Sequence, residues 1–104
     1  LEPASSPILS KGIKGSHNVE GVGLGFIPAI YNSKYVDDVI AIEESLARQT
    51  CKELASKEGI FCGTSSGMNV AGAIKLSKDL GPKSKVVAVA CDTGLKYLSE
   101  GLFY

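Results

Sequence analysis

Gly59-Ile60-Phe61-Cys62-Gly63-Thr64-Ser65-Ser66-Gly67 decides the fold, because a short apolar run stops at glycine and hands adjacent hydroxyls to the start of a helix. Open α/β sheets place their ligands at such turns, where backbone N–H groups and side-chain oxygens face the crevice beyond the strand ends. Serine brings a neutral donor and acceptor there, suited to a partner such as a heteroaromatic nitrogen that stays unprotonated. The same turn also reads as a plain helix cap.

Working outward, Val36 to Ile42 ends in a β-favouring run. Glu43 and Glu44 then place negative charge where a helix N-terminus welcomes it. Leu46, Ala47, Thr50, Cys51, Leu54 and Ala55 recur at three- and four-residue spacing, predicting an amphipathic helix to about Lys57 that Gly59 closes. A second helix is expected from Ser66 to about Leu80. Its small residues Gly67, Ala71 and Gly72 would let the backbone lie close to a sheet or a ligand. Gly81-Pro82 stops it, and Val86 to Cys91 reads as a parallel strand covered on both faces. The order βαβαβ over 36–92 predicts an α/β fold with a parallel sheet and flanking helices. Right-handed crossovers would gather Ser65, Ser66, Asp92 and Thr93 at one sheet edge. Residues 1–35 read as a strand end and a long glycine-rich loop, and 94–104 as a C-terminal helix. Loops of that length are usually functional.

Composition narrows the function classes. The 104 residues carry 11 basic and 11 acidic side chains, leaving no electrostatic footprint for nucleic acid or an anionic membrane. No apolar run approaches the roughly 20 residues needed to span a bilayer, and no signal peptide is evident. Cys51, Cys62 and Cys91 are odd in number and far apart, which fits neither a disulfide framework nor a zinc site. Reduced thiols and a cytoplasmic setting are expected. Leu1-Glu2-Pro3 lacks an initiator methionine and reads as the end of a strand, as in a piece of a longer chain.

Three motifs in order, VEGVGLGFIP over Val19–Pro28, GTSSG over Gly63–Gly67 and TGLKYLS over Thr93–Ser99, resemble cysteine synthase (O-acetylserine sulfhydrylase) and its relative cystathionine β-synthase. The resemblance covers the whole chain and implies the C-terminal third of a fold type II pyridoxal 5'-phosphate enzyme, in its larger, cofactor-binding domain. It implies that Ser65 hydrogen-bonds the cofactor's pyridine nitrogen. It also implies that Gly21 and Gly23 belong to a loop closing over the bound amino acid, and that Asp92 and Thr93 form a polar pair near the ring. A hydroxyl does not hold a proton on that nitrogen as a carboxylate would, which weakens the ring as an electron sink and favours β-elimination.

The implied activity is β-replacement on O-acetylserine or a related activated serine with sulfide or a thiol, in a homodimer that also binds the tail of serine acetyltransferase. Most cysteine synthases carry glutamine where this chain has Glu20, which leaves the sulfur donor open. The family's Schiff-base lysine has no counterpart among Lys11, Lys14, Lys34 or Lys96, so no catalytic residue and no activity are expected of these residues alone. A serine or threonine dehydratase of the same fold and a non-catalytic partner-binding segment are the alternatives. The spacing Gly21 to Gly25 does not fit a dinucleotide loop. His17 reads as a solvated or hydrogen-bonded loop residue, Asp92 as a general acid or, slightly favoured, a cap on Gly94-Leu95, and Tyr97 as packing.

Overall fold

A computed structural model describes all residues, 1–104. Two helices form its centre. Helix α2, Glu44–Glu53, continues through a wider π turn at Leu54–Glu58 and ends at Gly59 in the left-handed conformation, φ 68°. Helix α3 covers Thr64–Leu80 and starts two residues earlier than its apolar periodicity suggests. The two pack through glycine. A Cβ on Gly67 would stand 2.3 Å from the Ala47 carbonyl oxygen and 2.5 Å from Cys51 Sγ. The small residues of α3 therefore serve helix packing, with Gly72 lying against the Leu1 side chain. Val19, Ile42, Ala47, Met68 and Ala71 make the main core, and full burial of Met68 contributes roughly 1.5–3 kcal/mol.

The sheet is smaller than the sequence suggests. Strand β1, Glu2–Pro3, pairs in parallel with β2, Ala41–Ile42, in the register Glu2 to Ala41 and Pro3 to Ile42. The expected strand at 36–42 thus shrinks to its last two residues. Residues 60–63 contribute one antiparallel bridge, Cys62 to Thr93, and 86–91 runs without a ladder. Val87 and Val89 are 93% and 65% exposed, because no other segment of the chain lies alongside to pair with that backbone. Its composition is that of a covered strand; its partners are missing from these 104 residues.

Residues 4–35 are not wholly irregular. A one-turn helix, α1, spans Ile8–Lys11. Its head is capped from a distance by the buried Glu2 carboxylate, which accepts from Leu9 N at 2.8 Å and Ser10 N at 3.2 Å, and from the Ser10 hydroxyl. The expected C-terminal helix is a 3-10 helix over Gly94–Glu100 followed by turns. No helix is long and apolar enough to cross a membrane.

All three cysteines are free, Cys51 and Cys62 buried and Cys91 exposed. The Cys51 thiol donates to Gly63 O at 3.0 Å, and burial pushes its pKa up to about 11. Burial raises Cys62 as well. At about pH 8, where an ordinary thiol of pKa about 8.5 is partly ionised, an alkylating reagent is expected to modify Cys91 first and to reach Cys51 and Cys62 only on unfolding. Peptide mapping of the native protein checks this; early labelling of Cys51 would contradict the packing described.

Candidate active site

Helix α3 opens at Gly63, whose side-chain-free backbone is tightly enclosed. A Cβ there would meet Tyr97 Cε2 at 2.3 Å and Asp92 Oδ1 at 2.4 Å. Asp92 does not cap Gly94-Leu95. Its Oδ1 accepts from Gly63 N at 3.2 Å and its Oδ2 from the Tyr97 hydroxyl at 2.7 Å, while Thr93 Oγ1 takes the cap by accepting from Leu95 N at 3.3 Å. Ser66 Oγ accepts from Cys91 N at 2.8 Å. The segments 62–66 and 91–93 are thereby tied side by side, so Ser65, Ser66, Asp92 and Thr93 share one neighbourhood although no full sheet carries them.

The first turn of α3 is short of partners. Ser65 is 7% exposed and its hydroxyl makes no hydrogen bond within the chain. Thr64 Oγ1 is fully buried with no partner at all. No acidic residue stands in that turn. A helix N-terminus carries partial positive charge; with Asp92 already bound to Gly63 N, the hydroxyls of Thr64 and Ser65 are left to donate to a neutral acceptor.

The glycine loop lies apart from this turn. Gly21, Gly23 and Gly25 take φ of 81°, 56° and 79°, conformations that favour glycine. Gly21 and Gly23 line a cavity of about 190 Å³ with Leu1, Leu9, Val22 and Phe26, and Ser65, Asp92 and Thr93 are not among its walls. The loop is clipped at its far end by His17. Its Nδ1 accepts from Val19 N at 3.1 Å, which leaves the proton on Nε2, 2.7 Å from Gly23 O. At the near end, Glu20 Oε2 stands 3.2 Å from the Tyr97 hydroxyl and 3.4 Å from Lys96 Nζ. Burial, then the hydrogen bond to Asp92, pushes the Tyr97 hydroxyl well above the usual phenol range, so it stays a donor at neutral pH.

The sequence predicts only packing for Tyr97, and for His17 a solvated or hydrogen-bonded loop position, of which the structure shows the second. Tyr97 is indeed buried with Cys51 and Leu102, but its hydroxyl joins two carboxylates as well. The only local hint was the spacing of Asp92, Lys96 and Tyr97, which puts all three within reach of one another on a helical turn.

A sequence profile of the family described as pyridoxal-phosphate dependent enzyme matches residues 1–92. The chain belongs to this family. Among curated members it is 46% identical over 103 residues to cysteine synthase B of Campylobacter jejuni, covering 99% of this chain and 34% of that protein. It is 44% identical over 103 residues to a probable cysteine synthase of Bacillus subtilis, covering 99% and 33%. Among solved structures, it superposes on an O-ureido-L-serine synthase with a TM-score of 0.90 at 36% identity, covering 98% of this chain and 32% of that one. An O-acetylserine-dependent cystathionine β-synthase of Helicobacter pylori gives 0.89 at 33% identity, covering 99% and 33%. The chain thus spans about a third of the length of the relatives it matches. As a member of the pyridoxal-phosphate-dependent family, it carries an α/β fold whose segments superpose on those enzymes nearly end to end.

Proposed function

We propose that these residues form one wall of the active site of a cysteine synthase: a pyridoxal 5'-phosphate enzyme catalysing β-replacement on O-acetylserine, or a related activated serine, with sulfide or a thiol. The observation that carries the reading is the head of α3, where Ser65 and Thr64 hold unused hydroxyls in a first turn that has no acidic residue of its own. Such a site fits the cofactor's neutral ring nitrogen. When bound, pyridoxal phosphate supplies an electron-withdrawing ring that stabilises charge at the substrate α-carbon. Ser65 would donate to the ring nitrogen without protonating it. Asp92 and Thr93 would edge the ring, with Asp92 fixing the start of α3 through Gly63 N. Gly21 and Gly23 would let the loop backbone approach the amino acid, because positive φ and the absence of a side chain leave room for main chain alone.

The boundaries 1–35, 36–92 and 94–104 divide this wall into the loop, the helical centre and the closing segment. In this reading the remaining walls, including the lysine that holds the cofactor, come from other parts of the complete enzyme, which works as a cytoplasmic homodimer. Three free thiols suit a reducing compartment. The serine acetyltransferase tail, ending in a carboxylate, would occupy the amino acid's place.

The complete protein, loaded with pyridoxal phosphate and given O-acetylserine and sulfide, is expected to release cysteine and acetate in equal amounts. Keto acid formation without cysteine would favour a dehydratase instead, and no turnover of either kind would contradict the proposal.

A further inference from the structure

Tyr97 meets Glu20, 77 residues away in sequence, and joins its loop to the head of α3. Its ring is 2% exposed, fixed between α2 and the C-terminal turns beside Cys51 and Leu102. Its hydroxyl has one hydrogen and two carboxylate neighbours, Asp92 Oδ2 at 2.7 Å and Glu20 Oε2 at 3.2 Å. The single hydrogen is shared between them, with Asp92 the nearer acceptor, itself held by Gly63 N, and Glu20 the longer one. Two carboxylates around one phenol repel each other unless a cation intervenes. Lys96 is that cation, its Nζ 3.4 Å from Glu20 Oε2 and 3.7 Å from Asp92 Oδ2.

The two carboxylates are not equivalent. The Asp92 side chain is 19% exposed and the Glu20 side chain 65%, so Glu20 is the member that can leave at little cost in packing. Glu20 also directly precedes Gly21, where a Cβ would meet nothing within 4 Å and the backbone is free to turn. His17 holds Gly23 O on the other side. The strap from 20 to 23 is therefore clipped at both ends, with Val22 between them resting against the main core.

We propose that Tyr97 is a positioning residue for the glycine loop, holding it through Glu20 with the help of Lys96 while Asp92 fastens the same tyrosine to the head of α3. The latch brings the loop and the serine turn into one register without a direct contact between them. It is a statement about this chain's own side chains and stands whether or not the complete protein performs β-replacement.

Hydrogen exchange of the complete protein tests it, with Tyr97→Phe, Glu20→Ala and the double variant followed by mass spectrometry. Phenylalanine keeps the buried ring, and Glu20 is exposed, so folding survives both. Each single variant is expected to speed exchange of the 20–25 segment about tenfold, as loss of one charge-assisted hydrogen bond implies. The double variant should exchange no faster than Glu20→Ala alone, since both substitutions remove the same contact. Amides in the middle of α3 should be unaffected. Unchanged exchange in the loop, multiplying effects in the double variant, or equal acceleration across α3 would each overturn the latch. Cysteine formation is scored separately, so a failure of the proposed activity leaves this result readable.

Discussion

Ser65→Asp in the complete enzyme is expected to slow cysteine formation by roughly a hundredfold, about 2.7 kcal/mol at the rate-determining barrier, while leaving the fold intact. The reasoning starts from the helix. A carboxylate in the first turn of α3 faces the positive end of that helix, which offsets part of the cost of burying it at the 7%-exposed Ser65 position, and thermal unfolding reads the balance. The turn has no acidic residue in its natural state, and Ser65 carries no competing hydrogen bond. Placed there, a carboxylate would hold a proton on the ring nitrogen that the serine hydroxyl leaves bare. Charge from the substrate α-carbon would then spread into the ring, and expulsion of the β-substituent would lose its advantage. Ser65→Ala makes the matching control, removing the donor without adding charge and costing less. Steady-state kinetics with O-acetylserine and sulfide, run beside thermal unfolding, separates the two effects. Equal rates for the aspartate variant and the natural enzyme would remove Ser65 from the site.

The second large effect concerns the support beneath that turn. Gly67→Ala is expected to cost about 3 kcal/mol, near the top of the usual overpacking range. The new methyl would press on the Ala47 carbonyl at 2.3 Å, a backbone atom in the middle of α2 that has no rotamer to escape into. Gly72→Ala, one and a half turns further along, meets only the ends of the Leu1 side chain at 2.5 Å. That side chain can rotate away, and alanine's better helix propensity, about 1 kcal/mol over glycine, offsets the remaining strain. The pair therefore differs sharply in denaturant midpoint at a common slope. Similar midpoints for the two variants would show that α2 and α3 are not held at the separation described.

These expectations rest on features that differ in how far they can be read from the chain. Helices α2 and α3 are legible because their causes are local: apolar residues at three- and four-residue spacing, with Gly59 and Gly81 at the ends. The GTSSG turn is legible for the same reason. The strands are not, since a run such as Val86–Cys91 states that it suits a buried ladder but not where the ladder's other half lies. In these residues it has none, and only Glu2–Pro3 with Ala41–Ile42 pair in register. The cluster of Glu20, Asp92, Lys96 and Tyr97 was hidden because it depends on a contact between residues 20 and 97, which no periodicity encodes. The role of His17 was hidden likewise, as its tautomer follows from where Val19 N and Gly23 O happen to meet it.

The most direct measurement is the nitrogen-15 resonance of ring-labelled pyridoxal phosphate bound to the complete enzyme, recorded for the natural sequence and for Ser65→Ala. A shift typical of neutral pyridine accepting a hydrogen bond, and moving when the serine hydroxyl is removed, is the result expected if the head of α3 receives the ring nitrogen. A pyridinium shift, or a resonance indifferent to Ser65→Ala, would contradict it.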